Sequence, residues 1–114
     1  MTPRRTYVDY LQDILEAATH AAEFIAGIDL DAFRRDTEKV YAVTRALEII
    51  GEAARQIPPS VQASYPHLPW QEMIGMRSVV IHRYFGVDSE VLWRTVREDL
   101  PPLAAAVAAI LQAT

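Results

Sequence analysis

The chain has 114 residues, of which 51% are apolar and 23% charged, with no cysteine and a formal charge of −4 at pH 7. This predicts one domain over residues 1–114 and excludes disulfide scaffolds and thiolate metal sites. The longest apolar stretch, residues 103–111, is shorter than the roughly 20 residues of a membrane-spanning helix, and no secretory signal is predicted. We therefore expect a cytoplasmic protein. The 15 acidic residues outnumber the 11 basic ones. This argues against a protein that coats nucleic acid through bulk positive charge.

The first predicted helix runs from about Thr6 to Ala26. Thr6, with Asp9 three positions later, is typical of an N-cap, and Gly27 stands where a left-handed C-terminal cap is expected. The apolar residues recur at the i, i+3 and i+4 spacing of a one-faced amphipathic helix. They are Tyr7, Tyr10, Leu11, Ile14, Leu15, Ala18, Ala22 and Ile25.

A second long helix is predicted from near Asp31 to the prolines at 58 and 59, which stop it. The proline-rich segment 58–69 predicts a connector with one helical turn over residues 60–64. The inner stripe of the second helix carries Phe33, Val40, Val43, Leu47, Ile50, Ala54 and Ile57.

Three further features predict the rest of the fold. A helix is expected from Trp70 to the stop at 84–86, and Asp88 is expected to cap the next one. Asp99 is expected to cap a last helix that reaches Leu111 and carries the prolines at 101 and 102 in its first turn. Nothing predicts a strand, so the expected fold is an all-α bundle of four to six helices.

The histidines are the residues suited to proton transfer near neutral pH. His20 and His67 are most simply structural, and no metal site is predicted from their surroundings. His82 differs because Arg77 and Tyr84 lie close to it in the sequence.

Helix geometry restricts how these three residues can meet. On a continuous helix, Tyr84 lies within about 20° of Arg77, whereas His82 lies about 140° from Arg77. One straight helix therefore cannot aim all three at one point. Either the helix ends or distorts before His82, or a second copy of the chain completes the site.

The chemistry that suits such residues is attack on a phosphodiester. A histidine can take the proton from a ribose 2′-hydroxyl or return one to the leaving 5′-oxygen, and an arginine can hold the phosphate. No metal is needed, because the nucleophile lies within the RNA substrate. The alternative is structural: Arg77 pairs with a carboxylate, His82 forms a hydrogen bond near a helix end, and Tyr84 packs in the core.

Four sequence runs together resemble the HepT family of HEPN-domain ribonuclease toxins. They are ALEIIGEAARQIP at 46–58, LPWQEMIGMR at 68–77, HRYFGVD at 82–88 and VLW at 91–93. The resemblance covers most of the chain. It implies a HEPN-type antiparallel helical bundle, a two-fold homodimer with both catalytic motifs at a shared cleft, and metal-independent RNA cleavage without a cofactor.

The family's arginine-x4-histidine-x-tyrosine motif falls on Arg77, His82 and Tyr84. The resemblance implies that Arg77 and His82 are the catalytic pair of a type VII toxin. It also implies that a minimal nucleotidyltransferase antitoxin transfers AMP from ATP to Tyr84. Ser78 stands where asparagine is usual and Arg83 where glycine is frequent, and both are candidate substrate-binding residues.

Other interpretations stay open at this stage. The main alternative is a catalytically silent helical module that binds a nucleotidyltransferase partner, with Ser78 as the sign of lost activity. A DNA-binding regulator is disfavoured by the charge of −4. Glu48 and Glu52, one turn apart, either reach the cleft or form a polar stripe or a salt bridge between subunits.

Overall fold

The computed structural model describes residues 5–83 and 89–114, and at positions 78–83 it describes the helical backbone alone. The helices are α1 (Tyr7–Phe24), α2 (Leu30–Arg35), α3 (Thr37–Gln56), α4 (Pro59–Ser64), α5 (Trp70–Arg83), α6 (Ser89–Arg94), a π-helical turn (Thr95–Asp99) and α7 (Leu100–Ala113). Because α6, the π turn and α7 follow one another without interruption, these residues form six helical segments. No strand occurs among them, and the all-α prediction is confirmed.

The ends of α1 follow the predicted local signals. The Asp9 carboxylate accepts a hydrogen bond from the backbone N–H of Thr6 at 2.8 Å, and Gly27 adopts a left-handed conformation with φ of 76°. The regular helix ends at Phe24, two residues before the predicted boundary, and a turn leads to Gly27. Glycine takes this conformation without the steric cost that a Cβ atom imposes.

The predicted second helix is two helices, because the chain breaks at Asp36. This residue has extended backbone angles, φ −102° and ψ 92°, and its side chain accepts a hydrogen bond from the N–H of Lys39 at 3.2 Å. Asp29 caps α2 in the same way through the N–H of Ala32 at 2.8 Å. Each new helix start thus has a side chain that satisfies an otherwise unpaired donor.

The last helix begins at Leu100 with the prolines in its first turn, as predicted, but the predicted capping role of Asp99 is wrong. Asp99 has helical angles, φ −88° and ψ −38°, and makes no side-chain capping bond. The preceding turn is instead widened, so that the N–H of Leu100 bonds to the carbonyl of Thr95 five residues earlier. In a regular helix, a proline ring clashes with the carbonyl four residues before it. The wider π turn relieves this clash where the chain enters Pro101 and Pro102.

The remaining boundaries agree with the prediction or lie outside the described residues. The connector contains α4, which covers the predicted turn at 60–64, and α7 ends at Ala113 rather than Leu111. The predicted stop at 84–86 and the predicted cap Asp88 lie outside the described residues.

Helix α3 is the centre of the packing, since α1 and α5 both lie against it and α7 packs on α1. Its inner residues Val43, Leu47 and Ile50 have no exposed surface. They meet Leu11 and Ile14 of α1, together with other fully buried side chains, in one connected core. Burial of this apolar surface supplies the main driving force for the fold.

Gly51 is the point where α3 and α5 approach most tightly. A Cβ atom at this position would lie 3.0 Å from the backbone nitrogen of Arg77, 3.1 Å from the carbonyl oxygen of Ile74 and 3.2 Å from the Arg77 Cβ. Two of these atoms belong to the backbone and cannot rotate away. The missing side chain at Gly51 therefore sets the distance between the two helices.

We expect Gly51→Ala to destabilise the protein, because overpacking of this kind costs about 1–3 kcal/mol and outweighs the roughly 0.5–1 kcal/mol gained from helix propensity. Gly75→Ala is the matched control, since Gly75 lies on α5 and a Cβ atom there would meet no other atom within 4 Å. The free energy of unfolding, measured in urea at one protein concentration, checks both variants. Equal stability of the two variants would contradict the close approach at Gly51.

Candidate functional site

Arg77 lies on α5 and points towards α3. Its Nη1 atom is 2.8 Å from Oε1 of Glu52, and the two side chains are 50% and 40% exposed. The guanidinium has five N–H donors, and among the described residues Glu52 is its one ion-pair partner.

The position of this ion pair follows from the helix crossing. Gly51 allows the backbone of Arg77 to lie against α3, and Glu52 is the next residue along α3. The carboxylate therefore starts close to the stem of the arginine. A glycine inside a helix is unfavourable for the helix itself, so its presence in the middle of α3 is the sequence signal for this contact.

The structural alternative predicted a carboxylate partner for Arg77, and Glu52 is that partner. Glu48 forms an ion pair with Arg45 within α3. Both glutamates thus have partners in their own chain. The pairing leaves the Arg77 side chain half exposed.

Of the four other predicted site residues, the structure describes the backbone of three and nothing of the fourth. The backbone of α5 is helical through positions 78, 82 and 83, but the side chains of Ser78, His82 and Arg83 lie outside the described residues. Tyr84 lies outside them entirely. The structure therefore places one predicted catalytic side chain, that of Arg77.

The helical backbone excludes one of the predicted geometries, in which α5 ends before His82. The helix continues to Arg83, so it does not end before His82. Positions 77 and 82 therefore lie about 140° apart around the helix axis. One copy of α5 presents them in different directions.

A polar groove of about 600 Å³ runs between α1 and α3 and reaches Glu52. Arg5 lies at its edge, 2.7 Å from Asp13 and with its guanidinium 4.8 Å from the centre of the Tyr10 ring. The full lining consists of Arg5, Tyr10, Asp13, Glu16, Ala17, His20, Arg45, Ile49, Glu52, Ala53 and Gln56. Two arginines and three carboxylates line it, so the groove has no strong excess of either charge.

The remaining histidines make no ion pair or ring contact with Arg77 among the described residues. His20 is exposed at the edge of the groove, with its ring 6.3 Å from that of Phe24. His67 lies in the connector, edge-on to the ring of Tyr65 at 6.3 Å. Neither belongs to a group of three or more His, Cys, Asp or Glu side chains suited to a metal ion, as far as residues 5–77 and 89–114 are concerned. Among the described helices, none is long and apolar enough to cross a membrane.

Comparison with known proteins identifies relatives along most of the chain. The family model described as "Ribonuclease HepT-like" matches residues 14–110. The chain is 49% identical over 100 residues to "Probable ribonuclease HepT" of Thermococcus cleftensis, covering 88% of this chain and 91% of that protein. It is 45% identical over 100 residues to "Putative RNase MJ1380" of Methanocaldococcus jannaschii, covering 88% and 92%. No solved structure matches.

Proposed function

Because this chain belongs to the HepT-like ribonuclease family and is a ribonuclease, we propose that Arg77 and His82 cleave RNA without a metal ion. The family match at residues 14–110 includes both positions, which supports the resemblance predicted from the motif. The observation that carries the proposal is the half-exposed side chain of Arg77, whose ion-pair partner Glu52 lines the groove. A phosphate can reach such a group directly from solvent.

The proposed reaction is an internal attack. His82 takes the proton of the ribose 2′-hydroxyl, the 2′-oxygen bonds to the adjacent phosphorus, and the bond to the 5′-oxygen breaks. The leaving 5′-oxygen takes a proton from solvent, and His82 later releases its own proton to solvent. Arg77 binds the phosphate and balances the negative charge that grows on its oxygens. Ser78 and Arg83 are proposed to bind the strand on either side.

A homodimer supplies the histidine that works with Arg77 in this proposal. Arg77 and His82 lie about 140° apart on one continuous helix, so one chain cannot direct both at the same phosphate from a straight α5. Two copies related by a two-fold axis present two motifs to one cleft. The arginine of one copy then works with the histidine of the other.

We expect the purified protein to cut single-stranded RNA in EDTA. His82→Ala and Arg77→Ala should each lower the rate by about 100-fold or more, since they remove the proton-transfer group and the phosphate ligand. A substrate with 2′-deoxyribose at the cleaved position is the matched control, and it should resist cleavage. The measurement is the initial rate on a labelled oligonucleotide.

Two outcomes would contradict the ribonuclease mechanism. Cleavage of the 2′-deoxy substrate would rule out the internal nucleophile. An inactive wild type that Ser78→Asn restores would instead support the silent module, because asparagine adds the amide donors that serine lacks.

We further propose that the protein is the toxin of a type VII toxin–antitoxin pair in the cytoplasm, controlled at Tyr84. A minimal nucleotidyltransferase would catalyse attack of the phenol oxygen on the α-phosphorus of ATP. This forms a tyrosyl phosphodiester to AMP, releases pyrophosphate and gives the phenol proton to solvent. An anionic nucleotide close to Arg77 in the sequence would compete with the RNA phosphate.

Co-expression with such a partner should add the mass of AMP to the peptide that contains Tyr84, as measured by mass spectrometry. Tyr84→Phe should abolish the modification, because the acceptor oxygen is missing. Tyr41→Phe is the control, since Tyr41 is 66% exposed on α3 and tests whether any accessible tyrosine is modified. An unmodified Tyr84 in a growth-neutral co-expression strain would contradict this mode of control.

A further inference from the structure

We infer that Glu52 is a positioning residue that holds the Arg77 guanidinium ready for the RNA phosphate. This inference rests on the proposed function. The carboxylate forms an ion pair with Arg77, with Oε1 2.8 Å from Nη1, so it lies at one end of the planar guanidinium. The remaining N–H groups keep the forked geometry that matches two oxygens of a phosphate.

Arg77 is restrained at both ends of its side chain. At the backbone end, its nitrogen and Cβ lie against Gly51, at 3.0 and 3.2 Å from the position of a Cβ there. At the far end, Glu52 holds the guanidinium. A long arginine side chain otherwise samples many rotamers, so restraint at both ends lowers the entropy lost when the phosphate binds.

The exposure of the pair indicates that its main effect is not on stability. The two side chains are 50% and 40% exposed, and ion pairs at such positions contribute little to the free energy of unfolding. Loss of the Glu52 charge should therefore leave the protein folded. This separates a positioning role from a structural one.

Removal of the Glu52 charge should affect kcat and KM differently. A carboxylate beside Arg77 opposes the binding of an anionic strand, so its neutralisation should not weaken RNA binding. It should, however, leave the guanidinium less well oriented, and misplacement of a catalytic group lowers the rate of the chemical step. We therefore expect Glu52→Gln to lower kcat by about tenfold without raising KM.

Glu48→Gln is the matched control. Glu48 lies one turn earlier on α3, its side chain is 37% exposed, and its ion pair with Arg45 stays within that helix. Both substitutions remove one negative charge from the same helix, so they change the long-range attraction for RNA to a similar extent. Glu48→Gln should leave kcat within about twofold of the wild type.

The decisive experiment combines these variants in a single-stranded RNA cleavage assay. Since Glu52 acts through the guanidinium, Glu52→Gln should cause no further loss of kcat in an Arg77→Lys background. Glu52→Ala, which also removes the acceptor oxygen, should lower kcat more than Glu52→Gln does. Urea unfolding of each variant checks that the protein remains folded.

The outcomes separate the positioning role of Glu52 from the proposed catalytic role of Arg77. If Arg77→Ala retains full activity, the proposed catalytic role of Arg77 fails. If Arg77→Ala is inactive while Glu52→Gln matches the wild type, only the positioning role is overturned. An increase in kcat for Glu52→Gln, or an equal loss for Glu48→Gln, also overturns it.

Discussion

The tight crossing of α3 and α5 at Gly51 is the constraint on which the candidate site depends. It brings the Arg77 backbone to within van der Waals distance of α3 and thereby places the guanidinium beside Glu52. The core on the inner side of α3 holds this crossing in place, because Leu47 and Ile50 are fully buried there. Helix α3 therefore has two roles in this proposal. Its inner face stabilises the fold, and Glu52 at its outer edge orients Arg77.

Local signals predicted much of the fold, whereas contacts between helices required the structure. The N-cap at Thr6 and the turn at Gly27 depend on residues close together in the chain. The break at Asp36 escaped detection because buried Phe33 and Val40 continue the apolar stripe across it, although the aspartate itself is a typical capping residue. At Asp99 the predicted start of α7 was right but the predicted cap was wrong, because a π turn lets the helix continue into two prolines.

In the candidate site, too, the sequence predicted part of the arrangement, whereas contacts between helices required the structure. The resemblance to the HepT family singled out Arg77 in advance, but the identity of its carboxylate depends on which turn of α3 crosses α5. Sequence periodicity assigned Glu48 and Glu52 to one face without distinguishing them. Only the glycine before Glu52 separates the two, since it marks the turn at which the helices approach.

An acidic protein that cleaves a polyanion must obtain its affinity locally. With a formal charge of −4, long-range attraction does not favour RNA, and Glu52 reduces the local positive charge still further. Such an arrangement is reasonable if orientation matters more than affinity, because interactions that serve the ground state and the transition state equally do not raise kcat. A guanidinium whose geometry is set before the substrate arrives concentrates its effect on the charge that develops during the reaction. Two copies of the motif in one cleft would then supply by symmetry the positive charge that a single chain lacks.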